Sequence, residues 1–554
     1  MSGGTKYDCE PFGPHPFING ARVLQGVGPG VDPARTVVDL AMSELSRCLR
    51  RRDDWWILFK CPETRAQWAA EALVESMAVR TPSHNIAVWL TPNQVEYVLE
   101  ELQGYANLRD VENNCQVSCF ERIWESQALL DNSARASLNH QLSRFLETLP
   151  DRLIRREGDE LTRRIIDPYL HPLIYGRTLA YDSVREGFLR PELVSNIMDD
   201  TSTDFLSQKF ACLPCDFLIA QDGTAKALSY INNLHPCYSA LYRHFEELLS
   251  KCVPMFEHVL TDLHTDNPTR VRIQGPSSSA EWEEPESPDF SRDFADWSAF
   301  ESKKRQWIMR RSIVPDVPIT GYPGGLEERR HLVQLRGKTL QVIHDVYDIC
   351  IKPGGPAFQG SQWHVEGMKN ERIIACVLYN ASSENITSNS VEFRMAVETP
   401  PAFPKKGYQD ITIKTWGLQT RKPCHQYIGA VPLRQGLCIA HPNIYQYHIT
   451  PFSLVDPSKE GHQRIIGLYL VDPSIAPLAS TQRVPPQQKA WTRLGLEKGT
   501  RGIFAVELID KVLDEVDGIM DMDEAVKYRD RMLKERTRLS VLNDVQRFNI
   551  LCNS

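Results

Sequence analysis

Hydrophobic positions in the N-terminal half of the chain recur every three or four residues. Across 33–51 (PARTVVDLAMSELSRCLRR), Val37, Val38, Ala41, Leu45 and Leu49 fall on one helical face, after a Pro33 suited to a helix start. The stretches 93–105 (NQVEYVLEELQGY) and 236–264 repeat the pattern, so helices packed on a shared core are expected. Residues 265–292 abandon it for Ser, Pro and acidic residues, the composition of a loop or linker and the best boundary in the chain. A short helical piece, FADWSAFESKKRQWIMRR (294–311), follows.

From about 335 the texture changes to short apolar runs rich in β-branched and aromatic residues, separated by Gly, Pro and Asn turns. Strands are expected over 338–352, 371–380, 390–398, 409–417, 436–455 and 463–473, and several of them in succession predict an antiparallel sandwich or barrel. The tail, 522–551, returns to a charged helix. The expected plan is a mainly helical region at 1–264, a linker with short helices at 265–334, a β-core at 335–490 and a helical brace at 491–554.

Composition narrows the class. The chain has 554 residues, 42% hydrophobic and 24% charged, which supports more than one structural unit and is too apolar for disorder. A net charge of −8 leaves no electrostatic footprint for nucleic acid or an anionic membrane. No run is apolar enough for a membrane span, and MSGGTKYDCE lacks the features of a secretory signal, so a cytoplasmic protein is expected. The 14 cysteines are scattered; Cys212 and Cys215 have CxxC spacing without a second pair, which favours a structural turn over a zinc or redox site.

One stretch carries candidate chemistry. In QGSQWHVEGMKNERIIACVLYN (359–380), His364 and Glu366 are two residues apart, and in an extended segment both point to the same side. An iron site of the facial-triad type needs one more histidine and leaves coordination positions open. Downstream lie His441, which looks like a turn residue before Pro442, His448 in YQYHITPF, and His462. A 2-oxoglutarate cosubstrate also needs a cation for its distal carboxylate, and Arg suits that role through its planar fork. Arg464 opens the apolar run RIIGLYLV, where a charge calls for a partner. His448 followed by Arg464 supplies both parts and is preferred over His462.

The segment from His448 through Pro451, Gly461 and Arg464 to Asp472 resembles the C-terminal half of the prolyl-hydroxylase-type Fe(II)/2-oxoglutarate oxygenases. RIIACVLYN resembles the strand of that superfamily whose tyrosine bonds the oxoglutarate, here Tyr379. Over most of its length the chain resembles a family of large fungal proteins catalogued as a domain of unknown function, through SYINNLHP (229–236), LQVI (340–343), WHVEGMKNERI (363–373), SENIT (383–387), GHQRIIGLYLVDP (461–473) and VPPQ (484–487). The resemblance implies an α+β protein with a double-stranded β-helix (jelly-roll, cupin-like) core. It implies Fe(II) on His364, Glu366 and His448, with 2-oxoglutarate on Arg464 and Tyr379 and O2 as oxidant. Glu366 stands where most of the superfamily has Asp.

The expected function is oxidation of a C–H bond of a small molecule, an amino acid or amino-acid-derived fungal secondary metabolite. The alternatives are a protein-modifying oxygenase of the same chemistry and a non-catalytic β-sandwich scaffold. Trp363 and Met368 are candidate pocket walls. Arg372 and Arg394 read as solvated strand-end charges or partners for an acidic substrate, His344 and Tyr347 as bystanders, and Asn232 and Asn233 as satisfiers of backbone groups.

Overall fold

The computed structural model describes residues 32–548, apart from 83, 150–154, 158–160, 184–185, 191–204, 274–293, 311–315, 399–408, 420 and 501–502. Most of the Ser/Pro/acidic linker and the first 31 residues therefore lie outside the described residues. The helices used below are α1 (Val37–Arg50), α2 (Pro92–Leu108), α3 (Asn132–Thr148), α4 (Ser239–Leu263), α5 (Phe294–Arg310), α6 (Gln409–Trp416) and α7 (Met522–Asn543). The strands are β1 (Gln116–Val117), β2 (Trp124–Ser126), β3 (Arg155–Glu157), β4 (Thr162–Ile166), β5 (Cys215–Ile219), β6 (Ala225–Ala227), β7 (Thr339–Ile351), β8 (Ile373–Glu384), β9 (Ser390–Ala396), β10 (His425–Pro432), β11 (Cys438–Pro442), β12 (Gln446–Ile449) and β13 (Gly461–Val471).

Local signals account for the helix starts. Thr36, rather than Pro33, caps α1 by accepting from the Asp39 amide, and Thr91 with Gln94 forms a reciprocal capping box on α2. Helix α4 is amphipathic along its length and buries Phe245, Leu248, Leu249, Cys252 and Phe256.

A ten-stranded antiparallel sheet runs β6-β5-β7-β13-β8-β11-β2-β1, with β4 also paired to β7 and β3 to β4. A three-stranded sheet, β10-β9-β12, faces it. Strand β13 is paired along both edges, from Gly461 opposite Ile351 to Leu470 opposite both Val342 and Ala375. Central strands buried on both faces read as continuous apolar runs, which is the texture of RIIGLYLV.

Alternation then sorts the side chains. On β7, His344 lies between Phe217 and Phe245 of α4, on the outer face, whereas Asp345 and Tyr347 turn inward. On the facing sheet Phe393 and Tyr447 point in, with ring centroids 5.1 and 5.0 Å from that of His441 on β11.

Two expectations change. The sheet is not confined to 335–490, because β1 to β6 come from the mainly helical N-terminal region and join the same sheet as the C-terminal strands. At two to five residues they are too short to show periodicity. Residues 409–417, read as a strand from Ile411, Thr412, Ile413 and Thr415, form α6 instead. This helix stops at Gly417, whose φ of +67° and amide bond to the Ile413 carbonyl make a left-handed cap. Trp416 is buried, so packing overrides β propensity. Strand β10 was not anticipated. No described helix is long and apolar enough to cross a membrane.

Candidate metal centre

His364 is held by an antiparallel bridge to Tyr447, its amide 3.2 Å from the Tyr447 carbonyl and the reverse bond 3.0 Å. The segment WHVEG thus lies as an extended piece beside β12. Nδ1 of His364 donates to the Gln362 carbonyl at 2.7 Å, and Nε2 is the ring nitrogen turned to Glu366. That nitrogen is 3.4 Å from Oε1 of Glu366. The same Oε1 accepts the Tyr447 hydroxyl at 2.5 Å.

The backbone under Glu366 is clamped by Asn443, fully buried in the turn after β11. Its Oδ1 accepts the Glu366 amide at 2.8 Å, and its Nδ2 donates to the Glu366 and Ile373 carbonyls at 2.9 Å each. Gly367 follows with φ +80°, and a Cβ there would lie 2.6 Å from Ile373 Cδ1, so the turn requires glycine.

Charges in the interior are set by burial and by these bonds. Burial alone would raise the Glu366 carboxyl. His364 and Tyr447 outweigh it and hold the group down at about 2, so it is an anion. His441 is pushed down to about 4 by burial, against the opposing pull of Glu366, and is neutral near pH 7. Burial, and then the Glu366 charge, drive the Tyr447 hydroxyl far up, so it is a phenol.

The predicted residues do not all converge. His364 and Glu366 meet, as the spacing predicts. His448 does not join them: it alternates with Tyr447 on β12, points to the opposite face of that strand, packs at a tilt against Trp363 with centroids 4.1 Å apart and bonds Glu392 Oε2 at 2.8 Å. Arg464 lies on the outer face, bound to Asp348 at 2.7 and 2.9 Å and to the Asn139 carbonyl and Ser143 hydroxyl of α3 at 3.1 and 3.2 Å. Tyr379 shares that face, since it pairs with Ile466, two residues from Arg464 on β13. The alternative, His462, is outside as well, 3.1 Å from Ser382 Oγ. The inward residue at this end of β13 is Gln463, bonded to Asn389 at 2.8 Å.

What the interior holds instead is His441. It is not a turn residue but the fourth residue of β11, opposite Cys376 and fully buried. Its Nδ1 contacts the Pro442 carbonyl at 3.1 Å, and its Nε2 has no hydrogen-bond partner. The sequence signal was CIAHP, a histidine closing an apolar run.

Several recurring phrases turn out to be architectural. Glu371 accepts the Cys212 and Met368 amides at 2.6 Å each and pairs with Arg536 of α7 at 2.7 Å. Asn232 and Asn233 satisfy carbonyls at 167–171, as expected, and Gln487 and Gln488 after VPP complete that knot. Asn385 of SENIT, at φ +51°, ties down the 456–460 loop. Arg372 and Arg394 are not solvated; they face Asp472 and Asp544. Met368 is core, and Cys212 and Cys215 are free and buried.

Two imidazoles and an ionised carboxylate suit ferrous iron, and a buried imidazole nitrogen without a partner suits a ligand awaiting its metal. Among the described residues the three-donor groups drawn within 4.8 Å of one another are Asp110/Cys115/His258 and His264/Asp266/His331. His364, Glu366 and His441 are not among these groups. 2-Oxoglutarate does not fit the residues expected to hold it: Arg464 and Tyr379 are on the wrong face, and the inward Gln463 is neutral.

No curated protein matches the chain. Among solved structures, the Fe(II)/(alpha)ketoglutarate-dependent dioxygenase TqaL is 9% identical, covering 62% of this chain and 90% of its own, with a TM-score of 0.22. AviO1 from Streptomyces viridochromogenes Tue57 is 10% identical, covering 65% and 93%, with a TM-score of 0.21. The vicilin from Solanum melongena is 11% identical, covering 40% and 49%, at 0.13. Likenesses at these scores have no bearing on the site. Over residues 92–494 the chain matches the model of, and belongs to, the family described as "Protein of unknown function (DUF4246)".

Proposed function

We propose that this protein is a mononuclear non-haem iron oxygenase that oxidises a C–H bond of a small molecule, with His364, Glu366 and His441 as the protein donors. On this reading the two facing sheets are the walls of a double-stranded β-helix. The observation that supports it most is the buried Glu366 carboxylate 3.4 Å from the His364 imidazole, with the buried Nε2 of His441 lacking a hydrogen-bond partner on the inward face of β11.

Bound iron would supply the activation of O2 that side chains cannot. The chain's own groups set the stage. The Gln362 carbonyl fixes the His364 tautomer, Asn443 fixes the Glu366 backbone, and Tyr447 holds a proton on Oε1. Side-chain exposure of 31% at His364 against 7% at Glu366 marks the side from which a small molecule reaches the centre, beside Trp363. No step is assigned to 2-oxoglutarate.

The test is metal analysis of protein purified without chelator, then anaerobic loading with Fe(II) and measurement of O2 uptake with and without 2-oxoglutarate. One iron per chain, lost in His441→Ala, is expected. The Tyr447–Glu366 bond favours a second reading, a closed and metal-free scaffold. Failure of wild-type protein to take up iron would leave only that one.

A further inference from the structure

HTD at 264–266, where α4 ends, repeats the histidine–x–acid spacing of His364 and Glu366. Here the fold brings in a second histidine: one donor atom each of His264, Asp266 and His331 lie within 4.8 Å of one another. His331 Nε2 is 2.6 Å from Asp266 Oδ2, and the imidazoles of His264 and His331 stack with centroids 4.5 Å apart. The backbones carrying them are pinned by other groups. His264 is the C-cap of α4, and Asn267 ties the 331 segment to it: the Asn267 amide donates to the His264 carbonyl at 2.8 Å, Nδ2 donates to the Thr261 and His331 carbonyls at 2.7 and 3.0 Å, and Oδ1 accepts the Arg330 amide at 2.8 Å. Donors held in place in advance lower the cost of binding. The C-terminal end of a 25-residue helix adds partial negative charge, which favours a cation. The other three-donor group, Asp110/Cys115/His258, has the Arg329 guanidinium 3.1 Å from His258 Nδ1, a fixed positive charge that opposes an ion there.

We infer that His264, Asp266 and His331 form a second divalent-metal site, of the zinc class, separate from the barrel centre and independent of it. Two imidazoles and one carboxylate are a donor set suited to Zn(II), with a further position left for water. The side chains of His331 and Asp266 are 54% and 49% exposed, so an ion reaches them from solvent. Binding replaces the His331–Asp266 contact. It also gives up the 3.2 Å bond from the Asp266 amide to His264 Nδ1, because ligation at either ring nitrogen removes Nδ1 as an acceptor. The two histidines stand 67 residues apart, counted from 264 to 331, on either side of a stretch that includes α5. The ion therefore acts as a clip across the base of that stretch, and clips that close long loops are the stabilising ones.

The test uses the full chain, stripped with chelator and titrated with Zn(II) alone, read by calorimetry and by melting curves. Wild-type protein, His331→Ala and His364→Ala are compared. Zinc should bind to the wild type and raise its melting temperature, since a ligand of the folded state stabilises it. His331→Ala, a change at an exposed position, should melt with the wild type when metal-free, and should lose one zinc per chain together with the rise. His364→Ala, which alters only the barrel centre, should keep that zinc and that rise. Equal zinc content and equal rise in wild type and His331→Ala overturn the site and leave the barrel reading standing. Loss of all zinc in His364→Ala assigns the metal to the barrel and overturns the site equally. Wild-type protein that binds no zinc overturns it outright, without bearing on iron in the barrel.

Discussion

Arg464 clasps Asp348 across neighbouring strands, Nε 2.7 Å from one carboxylate oxygen and Nη2 2.9 Å from the other. Both side chains are nearly buried, at 5% and 2% exposure. The guanidinium expected to bind a cosubstrate therefore ties β13 to β7 and, through Asn139 and Ser143, to α3. Breaking a buried pair from one side costs roughly 3–5 kcal/mol, because the other charge is left behind. Arg464→Ala and Asp348→Ala should each destabilise by about that amount in chemical denaturation. The double substitution Arg464→Met/Asp348→Leu should recover much of the loss. Equal, fully additive losses in the cycle would show that the pair is not coupled.

The proposed centre gives His441 the ligand role that spacing assigns to His448. His448→Ala removes a partly exposed bond to Glu392, worth about 0.2–1 kcal/mol, and should leave iron content intact. His441→Ala should abolish it. Metal analysis of the two variants side by side decides the matter, and the reverse pattern would restore His448 as the ligand.

Asn443 acts on the centre through Glu366. Three of its four side-chain bonds go to buried backbone groups and the fourth accepts the Cys376 thiol at 3.6 Å, so Asn443→Ala leaves three backbone groups without partners, at about 1–3 kcal/mol for each unsatisfied group. Lower thermal stability and weaker iron binding are expected together, read by melting curves and by metal competition. Asn443→Asp keeps the acceptor for the Glu366 amide but loses both donors, and should fall between. Unchanged iron affinity in Asn443→Ala would reduce the clamp to a purely structural part.

Acid should weaken the fold before it reaches the carboxylates. Burial lowers His171, His425 and His441 to about 4 and His344 to about 3 from an ordinary value of 6.5. Between these values and 6.5 the unfolded chain holds more protons than the folded one, so stability declines as pH falls through that window. Glu366, held at about 2, is depressed instead; its contribution is fully present above its unfolded value of 4.5 and is lost progressively as pH falls from there through about 2. Melting temperature should drop from pH 7 to pH 4.5. His344→Leu, in the apolar slot between Phe217 and Phe245, should flatten that slope, and an identical slope in the variant would remove His344 from the account.

Much of this was legible in the chain. The helices α1, α2, α4 and α5 announce themselves by period or composition, and the long strands β7, β8, β9 and β13 as apolar runs between turns. The pair His364 and Glu366 announces itself by separation alone, since residues two apart in an extended segment share a side. Arg464 was rightly read as a buried charge in need of a partner. The partner went unrecognised although Asp348, an acid near the end of another apolar run, was visible. His441 was passed over because Pro442 suggested a turn, yet the proline ends a strand whose histidine is already committed to the interior.

Sequence by itself determined the periods, the buried charges and the two adjacent donors, because these depend only on neighbours along the chain. Tertiary structure alone decided phase. In Gln446–Ile449 and in the opening of β13, either set of alternate residues has a face it could accept, and a one-residue slip exchanges Tyr447 for His448 or Gln463 for Arg464. The bridge from His364 to Tyr447 and the Arg464–Asp348 clasp select one phase of each strand. They do so through contacts 83 and 116 residues apart, counted from 364 to 447 and from 348 to 464, which no local pattern records.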